Sequence, residues 1–319
     1  MPILTNSLLL IFGLVILIFS SDLLIQCSVK LSLLFKLTPL FIGLVLVAFG
    51  TSAPEAGVSI VAAASNQSGV ALGNIIGSNI CNIGLILGLC AVIFPLSVDK
   101  GLLKREMPLM LLATGLLYVL SRDLLISRLD ALIFIAVFIA FLYISFKGAK
   151  TSFDPKETEQ FTFYRIIKNT SSRFKLFSLV SLSLLGLLLG AKFMVDGGVS
   201  LARIFGISPW IIGVTIFAVG TSLPELVASL GAAFKKVHGI SIGNIVGSNI
   251  FNILFVLGIA ALIRPISVES SVVGFELPVL LLFSFGLFVI MRTGHKISRW
   301  EGLTLLLGYL GFIVLLLKP

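Results

Sequence analysis

Apolar positions along this chain come in long unbroken runs, not in the alternating polar/apolar pattern of an exposed strand. Leu8–Phe19, Leu40–Gly50 and Ala131–Ile144 are examples. About 20 apolar residues cross the hydrocarbon core of a bilayer as a helix. Barrel strands alternate in polarity along their length, so these runs argue against a membrane β-barrel. The pattern predicts ten helices, at 6–26, 38–65, 70–94, 104–121, 129–147, 176–196, 208–234, 239–263, 274–291 and 300–317. Between the fifth and sixth lies the one long polar stretch, 148–175, which contains Pro155, Ser and Thr residues and mixed charge.

The polar residues inside the apolar runs repeat at an offset of 170 residues. Thr38-Pro39 matches Ser208-Pro209. Gly50-Thr51-Ser52-Ala53-Pro54-Glu55 matches Gly220-Thr221-Ser222-Leu223-Pro224-Glu225. Gly73-Asn74-Ile75-Ile76-Gly77-Ser78-Asn79-Ile80-Cys81-Asn82 matches Gly243-Asn244-Ile245-Val246-Gly247-Ser248-Asn249-Ile250-Phe251-Asn252. Pro95 and Pro265, then Glu106 and Glu276, keep the same register. Chance likeness between apolar segments would not hold polar residues in one register. The halves are residues 1–147, with the repeated motif at 38–94, and 176–319, with the motif at 208–264; 148–175 links them. Each half carries five spans, and five is odd, so the second half enters the membrane from the opposite side. The expected fold is an all-α polytopic membrane protein of ten transmembrane helices arranged as two inverted five-helix repeats, a layout found in many secondary transporters.

Charge sets the orientation. With the N-terminus outside, 17 of the 23 Lys and Arg residues fall in cytoplasmic loops, among them Lys100, Lys104, Arg105, Lys147, Lys235, Lys236 and Arg292. The positive-inside rule therefore favours both termini outside and a cytoplasmic 148–175 linker. The formal net charge of +9 would suggest nucleic acid in a soluble protein, but in a chain of 58% hydrophobic residues and mean hydropathy +1.15 it belongs to the loops. No nucleic-acid partner is expected, and no obligatory protein partner is evident; a chain this apolar is expected to have the lipid bilayer as its partner. Cys27, Cys81 and Cys90 sit in or near apolar runs and read as small packing residues. No cleavable leader is seen at the N-terminus, so the first helix is expected to remain as an anchor.

Glu55 and Glu225 lie in the middle of apolar segments. A charge at the bilayer centre costs at least about 2.5–3.5 kcal/mol on insertion scales, so such residues usually face a protein interior or an ion path. They could instead be structural carboxylates satisfied by backbone amides at helix ends. Each, however, follows a Gly-Thr-Ser-x-Pro sequence that interrupts a helix within the membrane. Irregular backbone at that depth is tolerated only where it is buried in protein or lines a cavity. Carboxylates, hydroxyls and freed carbonyls are hard oxygen ligands suited to Na+ and Ca2+. On a helix, Ser78, Asn79 and Asn82 cluster within about a turn, as do Ser248, Asn249 and Asn252. They could add ligands to a wall facing the glutamates, or serve helix packing together with Gly73, Gly77, Gly84 and Gly88.

The two paired blocks resemble the α-repeats of the sodium/calcium exchanger (cation/calcium exchanger) superfamily, and in size and simplicity the chain is most similar to its prokaryotic members. The resemblance implies Na+/Ca2+ exchange by alternating access, with no cofactor and with Ca2+ and Na+ as transported ions. It implies cation ligation by Glu55 and Glu225; by the hydroxyls of Thr51, Ser52, Thr221 and Ser222; by the carbonyls of Ala48 and Ala218; by Ser78 and Ser248; and by Asn82 and Asn252. Some family members carry Asp at the last position of the second block, whereas this chain has Asn in both. It further implies residence in a prokaryotic inner membrane and sliding of the first and sixth helices past the rest.

Other readings are an H+-coupled cation antiporter, an exchanger of another divalent cation, a channel, or a membrane-embedded enzyme. An enzyme needs a nucleophile–base set or a metal centre. The two histidines, His238 and His295, are expected in loops, and the buried acids come as two symmetric copies. The chain is therefore not expected to be an enzyme.

Overall fold

The structure, a computed structural model, describes residues 2–151, 172–204 and 220–316. Most of the 148–175 linker, Ala218 and the first half of the helix expected at 208–234 lie outside the described residues.

Twelve helices are named in chain order: α1 Pro2–Phe35, α2 Pro39–Thr51, α3 Ala53–Ala64, α4 Ser68–Ile93, α5 Lys100–Lys104, α6 Glu106–Leu120, α7 Arg128–Thr151, α8 Arg173–Ile204, α9 Leu223–Phe234, α10 His238–Ile263, α11 Val272–Arg292 and α12 Arg299–Leu316. Among the described residues, seven of these are long and apolar enough to cross a membrane, and eight spans result if α2 and α3 are one bent span. The protein is a predominantly helical polytopic membrane protein.

Local chemistry sets the ends of several helices. Thr38 caps α2, its hydroxyl accepting from Phe41 N at 3.3 Å, and Pro39 follows at the first helical position. Asp99 caps α5 through the amides of Gly101 and Leu102. At the start of α7, Ser127 and Asp130 form a reciprocal capping box, and Ser298 with Glu301 does the same for α12.

Helix α1 runs nine residues past its expected end at residue 26, and α8 eight past its own at 196. The polar residues taken as the end of α1 are instead covered by neighbours: Gln26, Ser28 and Ser32 are all buried.

Residues of α1 and α8 share one hydrophobic cluster, which also takes in Val47 of α2 and Leu223, Ala228 and Ala232 of α9. The two helices cross backbone to backbone at Gly13 and Gly190. A Cβ on Gly13 would lie 2.7 Å from the Gly190 carbonyl, an approach that only small residues permit. A second, larger cluster joins α3, α4, α6, α7, α10, α11 and α12. Within it α10 packs on α2, where a Cβ on Gly243 would lie 2.6 Å from the Leu40 carbonyl. Gly88 of α4 faces Gly302 of α12 in the same manner, with a Cβ 3.0 Å from that carbonyl.

The fold adds two small sheets to the helices expected. β1 (Leu96–Ser97) pairs antiparallel with β4 (Lys296–Ile297), and β2 (Leu125–Ile126) with β3 (Ile266–Ser267). Each sheet joins a loop of one half to a loop of the other.

Candidate cation site

The chain turns in the same way at Ser52 and Ser222. Ser52 ends α2 with φ −80° and ψ 10°, and the next helix starts at Ala53 with Pro54 in its first turn. Ser222 has φ −90° and ψ 8°, and α9 starts at Leu223 with Pro224 in its first turn. These dihedrals fall in the sparsely allowed bridge region, where active-site residues are often found. α2 and α3 meet at 50°. Glu55 and Glu225 therefore sit in the first turns of α3 and α9, where the positive end of a helix dipole favours a carboxylate.

Both glutamates are completely buried, and each is held by the opposite half. Ser52 Oγ donates to Glu225 Oε1 at 2.8 Å, and Ser222 Oγ donates to Glu55 Oε1 at 3.1 Å. The second oxygen of each carboxylate, Oε2, is buried and has no hydrogen-bond partner among the described residues. Thr51 Oγ1 lies 3.1 Å from Asn244 Oδ1 and 3.4 Å from the Ala48 carbonyl. That carbonyl also accepts from Ser52 N at 3.0 Å, so it is engaged locally and not left bare by the helix break.

Around the carboxylates runs a network that repeats from half to half. Asn74 Nδ2 donates to the Glu55 carbonyl and to Ser59 Oγ; Asn244 Nδ2 donates to the Glu225 carbonyl and to Ser229 Oγ. Asn79 and Asn82 of α4 bond to Asn249 of α10, and Asn249 and Asn252 bond to Asn79 in return. Farther out, Thr114 and Ser284 hydroxyls meet at 3.4 Å.

Buried polar atoms are normally paired, so the exceptions call for an explanation. Here Glu55 Oε2, Glu225 Oε2, Asn82 Oδ1, Asn252 Oδ1 and Ser248 Oγ are all buried and lack a partner among the described residues. Four are acceptor-only oxygens and the fifth is a hydroxyl. Among the described residues, no cluster of three or more His, Cys, Asp or Glu forms a metal site. The donor set is hard oxygen, with two carboxylates and the rest neutral, and it suits a hard cation over a soft one.

Known proteins give the arrangement its context. The family model for sodium/calcium exchanger proteins matches residues 5–147 and 175–318. The chain belongs to the sodium/calcium exchanger family. Its relatives include the sodium/calcium exchanger MaX1 of Methanosarcina acetivorans, 34% identical over 98% of both chains. The inner membrane protein YrbG of Escherichia coli strain K12 is 34% identical over 97% of this chain and 95% of its own. A solved structure of the sodium-calcium exchanger NCX_Mj, 33% identical, superposes with a TM-score of 0.84 over 98% of this chain and 99% of that one.

In this exchanger-family member the structure brings together most of the residues singled out in the sequence. Thr51, Ser52, Glu55, Ser222 and Glu225 converge across the two halves. Ser78, Ser248, Asn82 and Asn252 are all buried on the adjoining helices. Thr221 is only half-buried, and Ala218 lies outside the described residues. The asparagines of the second block meet each other across the halves; the residues that reach the backbone of Glu55 and Glu225 are Asn74 and Asn244. Those two, with Ser59 and Ser229, are site residues that the sequence reading left out. Their signal was present, since both pairs keep the 170-residue offset inside apolar segments.

Proposed function

We propose that this protein exchanges Na+ for Ca2+ across the membrane by alternating access, with both ions competing for the oxygens around Glu55 and Glu225. The observation that carries this reading is the crossed carboxylate pair. Each glutamate is buried, each is anchored on one oxygen by the other half's serine, and each has a second oxygen with no hydrogen-bond partner among the described residues. Two buried like charges repel strongly in a medium of low dielectric. One Ca2+ balances them, and so do Na+ ions shared between neighbouring positions. A neutralised site crosses between the two faces of the membrane more easily than a bare one, and that makes exchange obligatory. The solved relative NCX_Mj was soaked both with Na+ and no Ca2+ and with Na+ and Ca2+ together.

The proposed ligands are Glu55, Glu225, Thr51, Ser52, Thr221, Ser222, Ser78, Ser248, Asn82, Asn252 and the carbonyls of Ala48 and Ala218. Ten spans in two inverted five-helix halves, 1–147 and 176–319, with both termini outside and 148–175 in the cytoplasm, complete the reading. The paired hydrogen bonds and the cross-half pairing of the two sheets support the inverted layout, and the excess of basic residues on one side supports the orientation. A prokaryotic inner membrane is the proposed location; the E. coli relative is named as an inner membrane protein.

The test is uptake of radiolabelled Ca2+ into proteoliposomes loaded with Na+, with K+, or with an acidic buffer. Uptake is expected to require internal Na+ and to be abolished in Glu55→Gln and in Glu225→Gln. Uptake driven by the acid interior alone would move the protein to H+-coupled antiport. Uptake independent of any counter-ion would make it a channel.

A further inference from the structure

We infer that Asn79 and Asn249 are positioning residues, each fixing the side-chain orientation of a proposed cation ligand that belongs to the other half of the protein. This rests on the cation-site reading above and adds to it two residues that are not themselves ligands.

A backbone carbonyl can only accept hydrogen bonds. The side-chain atom of Asn79 that lies 3.2 Å from the Asn249 carbonyl is therefore its amide nitrogen, Nδ2. That choice turns Asn79 Oδ1 the other way, toward Asn252, which meets it with Nδ2 at 3.1 Å. With its nitrogen committed, Asn252 must present Oδ1 in the opposite direction. There the oxygen is buried and has no hydrogen-bond partner among the described residues.

The mirror chain runs through the other half. Asn249 Nδ2 donates to the Asn79 carbonyl at 3.3 Å, and Asn249 Oδ1 accepts from Asn82 Nδ2 at 3.1 Å. Asn82 Oδ1 is left buried, with no hydrogen-bond partner among the described residues. All four side chains are essentially inaccessible to solvent, so water cannot compete for these bonds.

Helix geometry helps to make the lock possible. A π-helical turn begins at Asn82 in α4 and at Asn252 in α10, just past the two carbonyls that accept the amides. Such turns shift the backbone hydrogen-bond register and often mark functional sites. A carboxylate ligand needs no such fixing, because both of its ends are oxygen. An amide does, because the wrong rotamer would point N–H groups at a cation. A chain that places Asn at both ends of this motif needs an orienting partner for each.

If the four asparagines only glued α4 to α10, each substitution would weaken folding, and its effect on ion affinity would be independent of the others. The positioning role predicts coupling that crosses the halves: Asn79 with Asn252, and Asn249 with Asn82. The experiment is a double-mutant cycle on the half-saturating Ca2+ concentration for Na+-driven uptake, in folded, liposome-reconstituted variants. Asn79→Ala and Asn252→Ala are each expected to raise it by about tenfold, the range for orphaning a buried hydrogen-bonding group. The double variant should be no worse than the weaker-binding single variant, and the maximal rate should fall much less than the affinity. Asn79→Ala combined with Asn82→Ala should multiply. Where Asn79→Ala fails to assemble, Asn249→Ala with Asn82→Ala runs the mirror cycle.

Multiplying effects within the pair Asn79 and Asn252 would overturn the inference. So would unchanged affinity in Asn82→Ala and Asn252→Ala while Glu55→Gln abolishes uptake; in that case the carboxylate site stands and only the amide positioning falls. Transport that survives in both Glu→Gln variants would remove the site reading itself.

Discussion

Ser52 and Ser222 each give their hydroxyl to a carboxylate of the opposite half, at 2.8 and 3.1 Å, so neither half holds its own glutamate alone. A hydrogen bond to a charged group contributes about 1.5–3 kcal/mol. Ser52→Ala is therefore expected to weaken Ca2+ about tenfold in half-saturation of Na+-driven uptake, and Ser222→Ala to do likewise. Unchanged affinity in both would mean that the crossed bonds do not shape the site. The two glutamates were legible in the sequence because a carboxylate in an apolar run carries a high cost and so implies a purpose. Asn74 and Asn244 were not singled out, although they sit in the repeated block. An asparagine in a membrane helix has several uses, and its partner, here a backbone carbonyl 19 residues away, is set by how two helices cross. The four-asparagine lock was illegible for the same reason. The motif reveals that Asn79, Asn82, Asn249 and Asn252 share helix faces, but not that they bond to one another across the halves.

Among the elements, the bend between α2 and α3 and the start of α9 were readable from Gly-Thr-Ser-x-Pro-Glu, since proline removes a donor and glycine loosens the preceding turn. Helix ends were less so: α1 continues through Gln26, Ser28 and Ser32 because neighbouring helices bury them, whereas a hydropathy pattern ends a helix at the first polar cluster. The two-residue strands left no signal. Each exists only through a partner from the other half, Leu96 opposite Ile297 and Leu125 opposite Ser267. The proposed topology puts these two sheets on opposite faces of the membrane, and that has a direct consequence. In inside-out vesicles a membrane-impermeant maleimide is expected to label Lys296→Cys and not Ser267→Cys, and in right-side-out vesicles the reverse. Both positions are exposed, and the three native cysteines are buried and free, so they add little background. Labelling of both positions from one side would contradict the inverted arrangement.

At the scale of the whole molecule, one 170-residue offset relates the motifs, the helix breaks, the π-helical turns at Asn82 and Asn252, and the paired hydrogen bonds of the site. The repeat was visible in the sequence because polar residues inside apolar runs keep register. What the repeat builds was visible only in three dimensions: a centre where each half completes the other. α1 and α8 share a hydrophobic cluster with residues of α2 and α9. Membership in the sodium/calcium exchanger family fits this design, and in the proposed mechanism coupling reduces to charge: two buried carboxylates, neutralised either by one Ca2+ or by Na+. The most direct test is equilibrium binding of radiolabelled Ca2+ to the purified full-length protein, with and without Na+. The account predicts one high-affinity Ca2+ per chain, displaced by Na+ but not by K+, and lost in both Glu55→Gln and Glu225→Gln. Ca2+ binding that persists in either variant, or that Na+ leaves untouched, would contradict a single shared site.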